Sequence, residues 1–169
     1  MKRLLWCVLL VIVSLSSLLA VDFGISVGTF DSYGRHESFN DGTHVQIGSV
    51  IGMSSHLEWE AFLIAEATPA PFSELVVGTA LSMALVGPVF VDPQVDEVPP
   101  YANIYASVGF LGGMGGNDSY GPFLRITPIS VGGPQFLLRE RGASTGIFYD
   151  IPNSSLTIFW NIFLVDFFL

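Results

Sequence analysis

The sequence has almost no cysteine and almost no lysine. Cys7 is the one cysteine among 169 residues, and Lys2 is the one lysine. With a single cysteine no disulfide can form within the chain. Charged residues make up 12% of the chain, against about 25% of an ordinary soluble domain. Six basic residues against fifteen acidic ones leave little to neutralise phosphates, which argues against a nucleic-acid partner.

Hydrophobic residues, by contrast, make up 50% of the chain. Lys2 and Arg3 precede an apolar run over Leu4–Val13, and small residues follow up to Ala20. This three-part layout is typical of a secretory signal peptide, and the run is short for a membrane span. We therefore expect a signal peptide over residues 1–20, with an uncleaved anchor helix as the alternative. Residues 21–169 then form one domain whose formal charge is 4 − 15 = −11.

After residue 20 the apolar residues recur with a period of two. In Leu57–Ala67, for example, Trp59 and Leu63 share one face, while Glu58 and Glu60 share the other. Such alternation predicts strands. Most of the stretches are about 8 to 13 residues long, which suits a membrane-spanning strand better than a strand of a soluble sandwich. The eight predicted strands are Asp22–Phe30, His44–Ile51, Leu57–Ala67, Leu75–Val86, Ala102–Leu111, Phe123–Ser130, Ser144–Ile151 and Leu156–Leu169.

Two features leave the strand count and type open. Gln135–Arg141 is a candidate for a further strand segment, and Gly87–Pro100 is long enough to contain another, which would give ten strands. Leu75–Val91 is also uncharged and nearly long enough for a membrane helix. Gly87, Pro88 and the lack of basic flanking residues argue against that helix.

The predicted fold class is all-β, an antiparallel up-and-down eight-stranded transmembrane β-barrel. Too few charges are present to cover the outside of a soluble sandwich, so we expect the apolar faces to meet lipid and the small or polar faces to line the lumen. Glu58, Glu60, Glu66 and Arg125 are then predicted to form a polar, partly paired cluster in the lumen, because buried charges are costly without partners.

With both termini on the periplasmic side, the odd-numbered connections face outward. These are Asp31–Thr43, Thr68–Glu74, Gly112–Gly121 and Pro152–Ser155.

The end of the chain alternates and is rich in aromatic residues. Phe163, Phe167, Phe168 and Leu169 occupy its last positions. This resembles the terminal strand of outer-membrane barrel proteins, which the barrel-assembly machinery reads, although those strands usually finish on Phe. The resemblance implies an assembly signal at these four residues, the assembly machinery and outer-membrane lipid as partners, and the cell outer membrane as the location.

A second resemblance covers Phe123 to Phe168. Its segments are Arg125-Ile-Thr-Pro-Ile-Ser-Val-Gly-Gly, Arg139-Glu-Arg141 and Thr145-Gly-Ile-Phe-Tyr-Asp150. They are similar to predicted small outer-membrane barrels of treponemes and related spirochaetes. In size and pattern the whole domain resembles the OmpW-like and OmpA-like classes. The resemblance implies no site residues, and Arg139–Arg141 is interpreted as a turn beside the membrane.

The function predicted from these features is that of an integral outer-membrane barrel without catalysis. It has a structural or surface role, or passes small, apolar solutes, and it has lipid and a possible host-facing ligand as partners. No catalytic, metal-binding or cofactor-binding residue is predicted. One alternative is a soluble periplasmic or secreted barrel that binds an apolar ligand inside. Another is a lipid-modifying enzyme that uses His36 or His44; His56, in a short turn, is predicted to be solvated.

Overall fold

The computed structural model describes residues 23–34, 43–54, 56–68, 75–86, 101–114, 119–133 and 138–168. The predicted signal peptide lies outside these residues. No helix among them is long and apolar enough to span a membrane. The described strand segments are β1 (Phe23–Gly34), β2 (Thr43–Ser54), β3 (Leu57–Thr68), β4 (Leu75–Val86), β5 (Tyr101–Met114), β6 (Tyr120–Gly133), β7 (Leu138–Arg141), β8 (Ser144–Asp150), β9 (Ser155–Asn161) and β10 (Leu164–Phe168).

These segments close into a barrel of eight antiparallel strands. From β1 to β6, each segment pairs with the next. Both β7 and β8 pair with β6 and together form the seventh barrel strand. Both β9 and β10 pair with β1 and together form the eighth, which closes the ring. The predicted eight-stranded antiparallel barrel is confirmed, and closure leaves no open sheet edge.

The two ends of the barrel differ in the connections they carry. Gly24 pairs with Phe168, so β1 begins and β10 ends at the same end, here called the terminal end. The connections after β1, β3, β5 and β8 therefore leave from the opposite, distal end. This is the grouping predicted for the four outward connections. The first of them begins later than expected, because β1 continues to Gly34.

The apolar face of every barrel strand points outward. On β3, Trp59 is 40% exposed and Leu63 is 45% exposed, whereas Glu58 and Glu60 are buried in the lumen. The predicted facing of the strands is therefore confirmed. Other exposed apolar side chains on the strands include Ile25, Val27, Ile47, Val77, Leu81, Met83, Val108, Phe110, Leu124, Ile126, Val131, Ile147, Ile158 and Phe167.

The predicted strand Leu75–Val86 is confirmed as β4, which lies between β3 and β5 in the sheet, and the membrane helix weighed as its alternative is not formed there. Within Gln135–Arg141, the candidate for a further strand segment, Leu138–Arg141 forms β7, which is part of the seventh barrel strand and does not add another strand to the barrel. The stretch Gly87–Pro100 lies outside the described residues.

The last two barrel strands are each interrupted once, at adjacent positions. Arg141 pairs with Leu164 on one side of the break, and Ser144 pairs with Asn161 on the other. The two residues between them on each strand change which residues face inward. Odd-numbered residues face inward before the seventh-strand break and even-numbered ones after it. Such irregularities redirect side chains without ending a sheet.

Inward-facing glycines make room for aromatic rings in this narrow barrel. A Cβ atom at Gly109 would lie 2.5 Å from Cε1 of Phe123, and one at Gly146 would lie 2.7 Å from Cε1 of Phe159. Both distances are too short for real carbon atoms. The backbone carbonyl oxygens of Thr79 and Leu124 lie at least as close to these two added atoms, so glycine is required at both positions by the neighbouring strand as well as by the ring.

Candidate functional site

Six charged side chains meet inside the barrel toward its terminal end. They come from four segments and are Glu58 and Glu60 on β3, Arg125 on β6, Arg139 and Arg141 on β7, and Asp166 on β10. All six are buried. We call this group the lumen ion-pair network. The period of two places each of these residues on the inner face of its own segment.

The six charges form an alternating chain. Nη2 of Arg125 lies 2.7 Å from both carboxylate oxygens of Glu60, and Nη1 of Arg141 lies 2.7 Å from Oε1 of the same residue. Nη2 of Arg141 donates to Oδ1 of Asp166 at 2.7 Å, and Nε of Arg139 donates to Oδ2 at 2.6 Å. The chain ends where Nη1 of Arg139 donates to Oε2 of Glu58 at 2.8 Å.

Neutral polar groups complete the surroundings of the network. The Ser82 hydroxyl donates to Oε1 of Glu60 at 2.6 Å. Arg139 donates to the Tyr105 hydroxyl at 2.7 Å. Its guanidinium also lies 5.1 Å from the centre of the Tyr105 ring and 5.2 Å from that of Phe168, within the range of cation–π attraction. These contacts replace part of the hydration that the ions lose on burial.

The network crosses the full width of the lumen. Among eight strands in a ring, the third and the seventh are opposite each other, and these are the strands that carry Glu58 with Glu60 and Arg139 with Arg141. Three positive and three negative groups pair without an excess of either sign. Chemically, the arrangement links opposite walls of the barrel and leaves its charges mutually compensated.

Aromatic side chains fill the next level of the lumen toward the distal end. The rings of Phe30 and Phe159 stack with centroids 5.3 Å apart. Phe123 packs edge-on against Phe159 at 5.8 Å and against Phe62 at 6.1 Å. We call this group, with the buried residues around it, the aromatic core. Its other members are Ile64, Val76, Ala80, Leu111 and Phe148.

The structure brings together three of the four residues predicted for the lumen cluster. Glu58, Glu60 and Arg125 belong to the network. Glu66 is also buried, but it lies near the distal end of β3, where it pairs in register with His44 of β2.

Sequence reasoning missed half of the network, namely Arg139, Arg141 and Asp166. The prediction that Arg139–Arg141 form a turn beside the membrane is wrong: both arginines are buried and paired, and Glu140 points outward between them. Their spacing of two residues was a usable signal, because it is the spacing of one strand face. The Gly142–Ala143 break concealed it by separating β7 from the longer alternating stretch that follows.

The residues of the predicted assembly signal do not share one face. Phe163 and Phe167 are exposed on the outer surface. Phe168 faces inward, with its ring against Arg139. Leu169 lies outside the described residues. The role of these residues in assembly stays a prediction.

The described histidines are far apart in the fold and in their surroundings. His44 is buried near the distal end, with its ring edge toward Phe30 at a centroid distance of 6.5 Å. His56 is exposed in the turn between β2 and β3 at the terminal end. His36 lies outside the described residues. Across the described strands and turns, His, Cys, Asp and Glu nowhere form a group of three that could hold a metal ion.

Comparisons with known proteins give a likeness of overall shape and nothing closer. No family model matches the chain, and no curated protein matches it either. A solved structure described as "De novo design of transmembrane beta-barrels" aligns with 88% of this chain and 95% of its own, at 10% identity and a TM-score of 0.47. The resemblance to OmpW-like, OmpA-like or spirochaetal barrels stays a prediction.

Proposed function

We propose that this chain is an integral outer-membrane β-barrel protein, in the size class of the OmpW-like and OmpA-like barrels, with a structural or surface role and no catalysis. Outer-membrane lipid and the barrel-assembly machinery are its proposed partners. The observation that carries the proposal is the distribution of polarity. Every barrel strand exposes apolar side chains on the outside, and the six charges of the network lie inside. A soluble barrel would carry the opposite arrangement.

A polar contact on the outer surface supports lipid exposure. Nε1 of Trp59 donates to the Thr79 hydroxyl at 2.8 Å, and that hydroxyl donates to the carbonyl oxygen of Glu60 at 3.0 Å. Hydrocarbon offers no water to an unpaired N–H or O–H group. Both groups on this face have a partner within the barrel, as a lipid-facing surface requires.

Tyrosines mark the distal edge of the apolar surface. Tyr33, Tyr120 and Tyr149 are all exposed and lie at the distal ends of β1, β6 and β8. Phe110 stacks on Tyr120 with centroids 6.3 Å apart. Aromatic side chains with one polar end are typical of the membrane–water interface of barrels. Their position supports a membrane boundary at the distal end.

The filled lumen supports a structural or surface role over passage of solutes through the barrel. The lumen ion-pair network occupies one level and the aromatic core occupies the next. An eight-stranded barrel has little interior beyond what its own side chains fill.

The proposal is tested by fractionation of the native protein together with lipid quenching of Trp59. We expect recovery with outer membranes, resistance to carbonate extraction and a heat-dependent shift in gel migration. In a Trp160→Phe variant, with Trp59 as the reporter, brominated acyl chains in the bilayer should quench the fluorescence strongly. Iodide in the water should not.

The opposite result would be a soluble periplasmic protein whose Trp59 is quenched by iodide. That outcome would contradict the membrane assignment and favour the soluble alternative.

A further inference from the structure

The outer surface of the described barrel carries no lysine or arginine side chain. Arg125, Arg139 and Arg141 are the arginines among the described residues, and all three are buried in the lumen ion-pair network. The described segments contain no lysine. At a membrane surface, lysine and arginine are the side chains that attract anionic headgroups. The described arginines lie inside the lumen, where lipid headgroups cannot contact them.

The ionised side chains that do point outward are acidic. Glu140 is exposed on β7 near the terminal end, between its outward-facing neighbours Val131 and Val165. Asp31 is partly exposed on the distal part of β1, where it pairs with Trp160. The two carboxylates lie toward opposite edges of the apolar surface, which is where the headgroups of a spanned bilayer would lie.

The charge of the whole domain is also divided between a neutral network inside the lumen and an acidic remainder. The network contributes 3 − 3 = 0, so residues 21–169 outside it contain one basic and twelve acidic residues. The entire net charge of −11 is therefore carried outside the network, and two of these twelve acidic side chains, Glu66 and Asp150, are buried. Like charges repel across the membrane–water interface, and an anionic leaflet disfavours added carboxylates for the same reason that it attracts lysines.

We propose that the bilayer surface this barrel fits has no net charge, and that zwitterionic phospholipid headgroups are its lipid partner. This inference rests on the proposed membrane function. The carboxylates meet no surface potential at such a bilayer, and the apolar surface and the tyrosines provide the attraction. Anionic headgroups find no lysine or arginine partner on the described surface.

The test compares folding of the urea-denatured domain into two kinds of vesicle at about pH 8, where histidine side chains are ordinarily neutral. One kind is phosphatidylcholine alone, and the other mixes it with phosphatidylglycerol of the same chain length. The heat-dependent gel shift reports the folded fraction. At low salt we expect folding to be roughly threefold to tenfold slower in the anionic vesicles. In about 1 M salt, where charges are screened beyond about 3 Å, the difference should nearly vanish.

Variants at Glu140 provide the matched control, because this side chain is exposed and lies outside the network. Glu140→Gln should reduce the difference between the vesicles, Glu140→Asp should preserve it, and Glu140→Lys should reduce it furthest. Equal or faster folding in the anionic vesicles at low salt, with or without Mg²⁺, would overturn the inference and leave the membrane function intact. Failure to fold into either kind of vesicle would instead count against the membrane function itself.

Discussion

At the scale of single residues, we expect substitutions of the buried charged side chains of the network to cost the most stability. An ion pair taken out of water gives up hydration, and mutual attraction restores that loss only when every member has its partner. Glu60 is the central member, because Arg125 and Arg141 both contact its carboxylate at 2.7 Å and Ser82 donates to it as well. Removing its charge leaves two buried arginines short of a partner.

We expect Glu60→Gln to lower the free energy of unfolding by about 3 to 5 kcal/mol. Urea unfolding of the protein in lipid vesicles, followed by Trp59 fluorescence, measures this change. Glu140→Gln removes the same charge from the outer face and should change stability by less than about 0.5 kcal/mol. Equal stability of Glu60→Gln and the wild type would show that the network contributes nothing to holding the barrel together.

The glycines that face aromatic rings give a second prediction at this scale. Gly109→Ala places a methyl group against the backbone carbonyl oxygen of Thr79 and the ring of Phe123, and overpacking of this kind costs about 1 to 3 kcal/mol. Gly112→Ala is the matched control on the same strand, because the nearest atom to its added Cβ is Cβ of Tyr120 at 4.0 Å. The same vesicle unfolding measurement compares the two. Equal stabilities would mean that the aromatic core yields easily around Gly109.

At the scale of elements, the break in the eighth barrel strand is the feature that departs most from a simple hairpin barrel. Thr29 of β1 faces this break with both its backbone and its side chain. Its N–H donates to the carbonyl oxygen of Phe163 at 3.1 Å, and its hydroxyl accepts from the Ile162 N–H at 3.0 Å. The carbonyl oxygen of Thr29 accepts from the Asn161 side-chain amide as well. Thr29 thus supplies hydrogen-bond partners to groups at the break that the interrupted strand pairing would otherwise leave without one.

We expect Thr29→Val to destabilise the barrel by about 1 to 3 kcal/mol, because the Ile162 N–H loses its acceptor on a surface that faces lipid. Amide hydrogen exchange of the folded protein should show faster exchange at Ile162. Thr29→Ser keeps the hydroxyl and should exchange as the wild type does. Unchanged protection of Ile162 in the valine variant would argue that another acceptor takes over.

The same break marks the limit of what the sequence predicts about the fold. The first five barrel strands alternate regularly enough for their existence and facing to be predicted from the sequence. The sixth changes phase at Pro128–Ile129, because Thr127 and Ser130 both face inward. The eighth does not follow one alternation either, because a strict period of two cannot put both Asn161 and Asp166 inside. The structure places both inward by changing phase at Ile162–Phe163. A break of this kind depends on contacts with the neighbouring strands, so the local alternation of apolar and polar residues does not predict it.

The candidate site was predictable to a similar degree and for a related reason. Glu58 and Glu60 share a face of one clear strand, and Arg125 lies on another, so a polar cluster between them could be expected. Arg139 and Asp166 become members only through tertiary contacts across the lumen and between the interrupted strands. Glu66 shares the face of Glu58 but lies at the other level of the lumen, because a strand rises about 3.4 Å per residue.

At the scale of the whole molecule, side chains fill the lumen of the barrel. The network and the aromatic core occupy successive levels, so a continuous water path along the axis has to cross both. This favours a protein that spans the membrane and acts through its surface over one that conducts ions.

We therefore expect no stable conductance steps when the folded domain is inserted into a planar lipid bilayer, whereas a wide porin measured in parallel should conduct steadily. Insertion itself is checked separately by the heat-dependent gel shift of the same preparation. Long-lived conductance of the wild-type domain would show that the lumen opens. Passage of solutes would then be favoured as the main function.

The position of the network across the lumen also affects the number of strands at which the barrel can close during assembly. Glu58 and Glu60 lie 81 residues before Arg139 and Arg141 respectively, and the arginines arrive only with the seventh strand. A sheet that closed after six strands would enclose Glu58, Glu60 and Glu66 with Arg125 as the one buried arginine of those strands, an excess of negative charge in the interior. A slip of one residue in β7 would turn both arginines toward lipid. Premature or misaligned closure is therefore penalised by electrostatics, because the six charges of the network balance only in the complete eight-stranded ring.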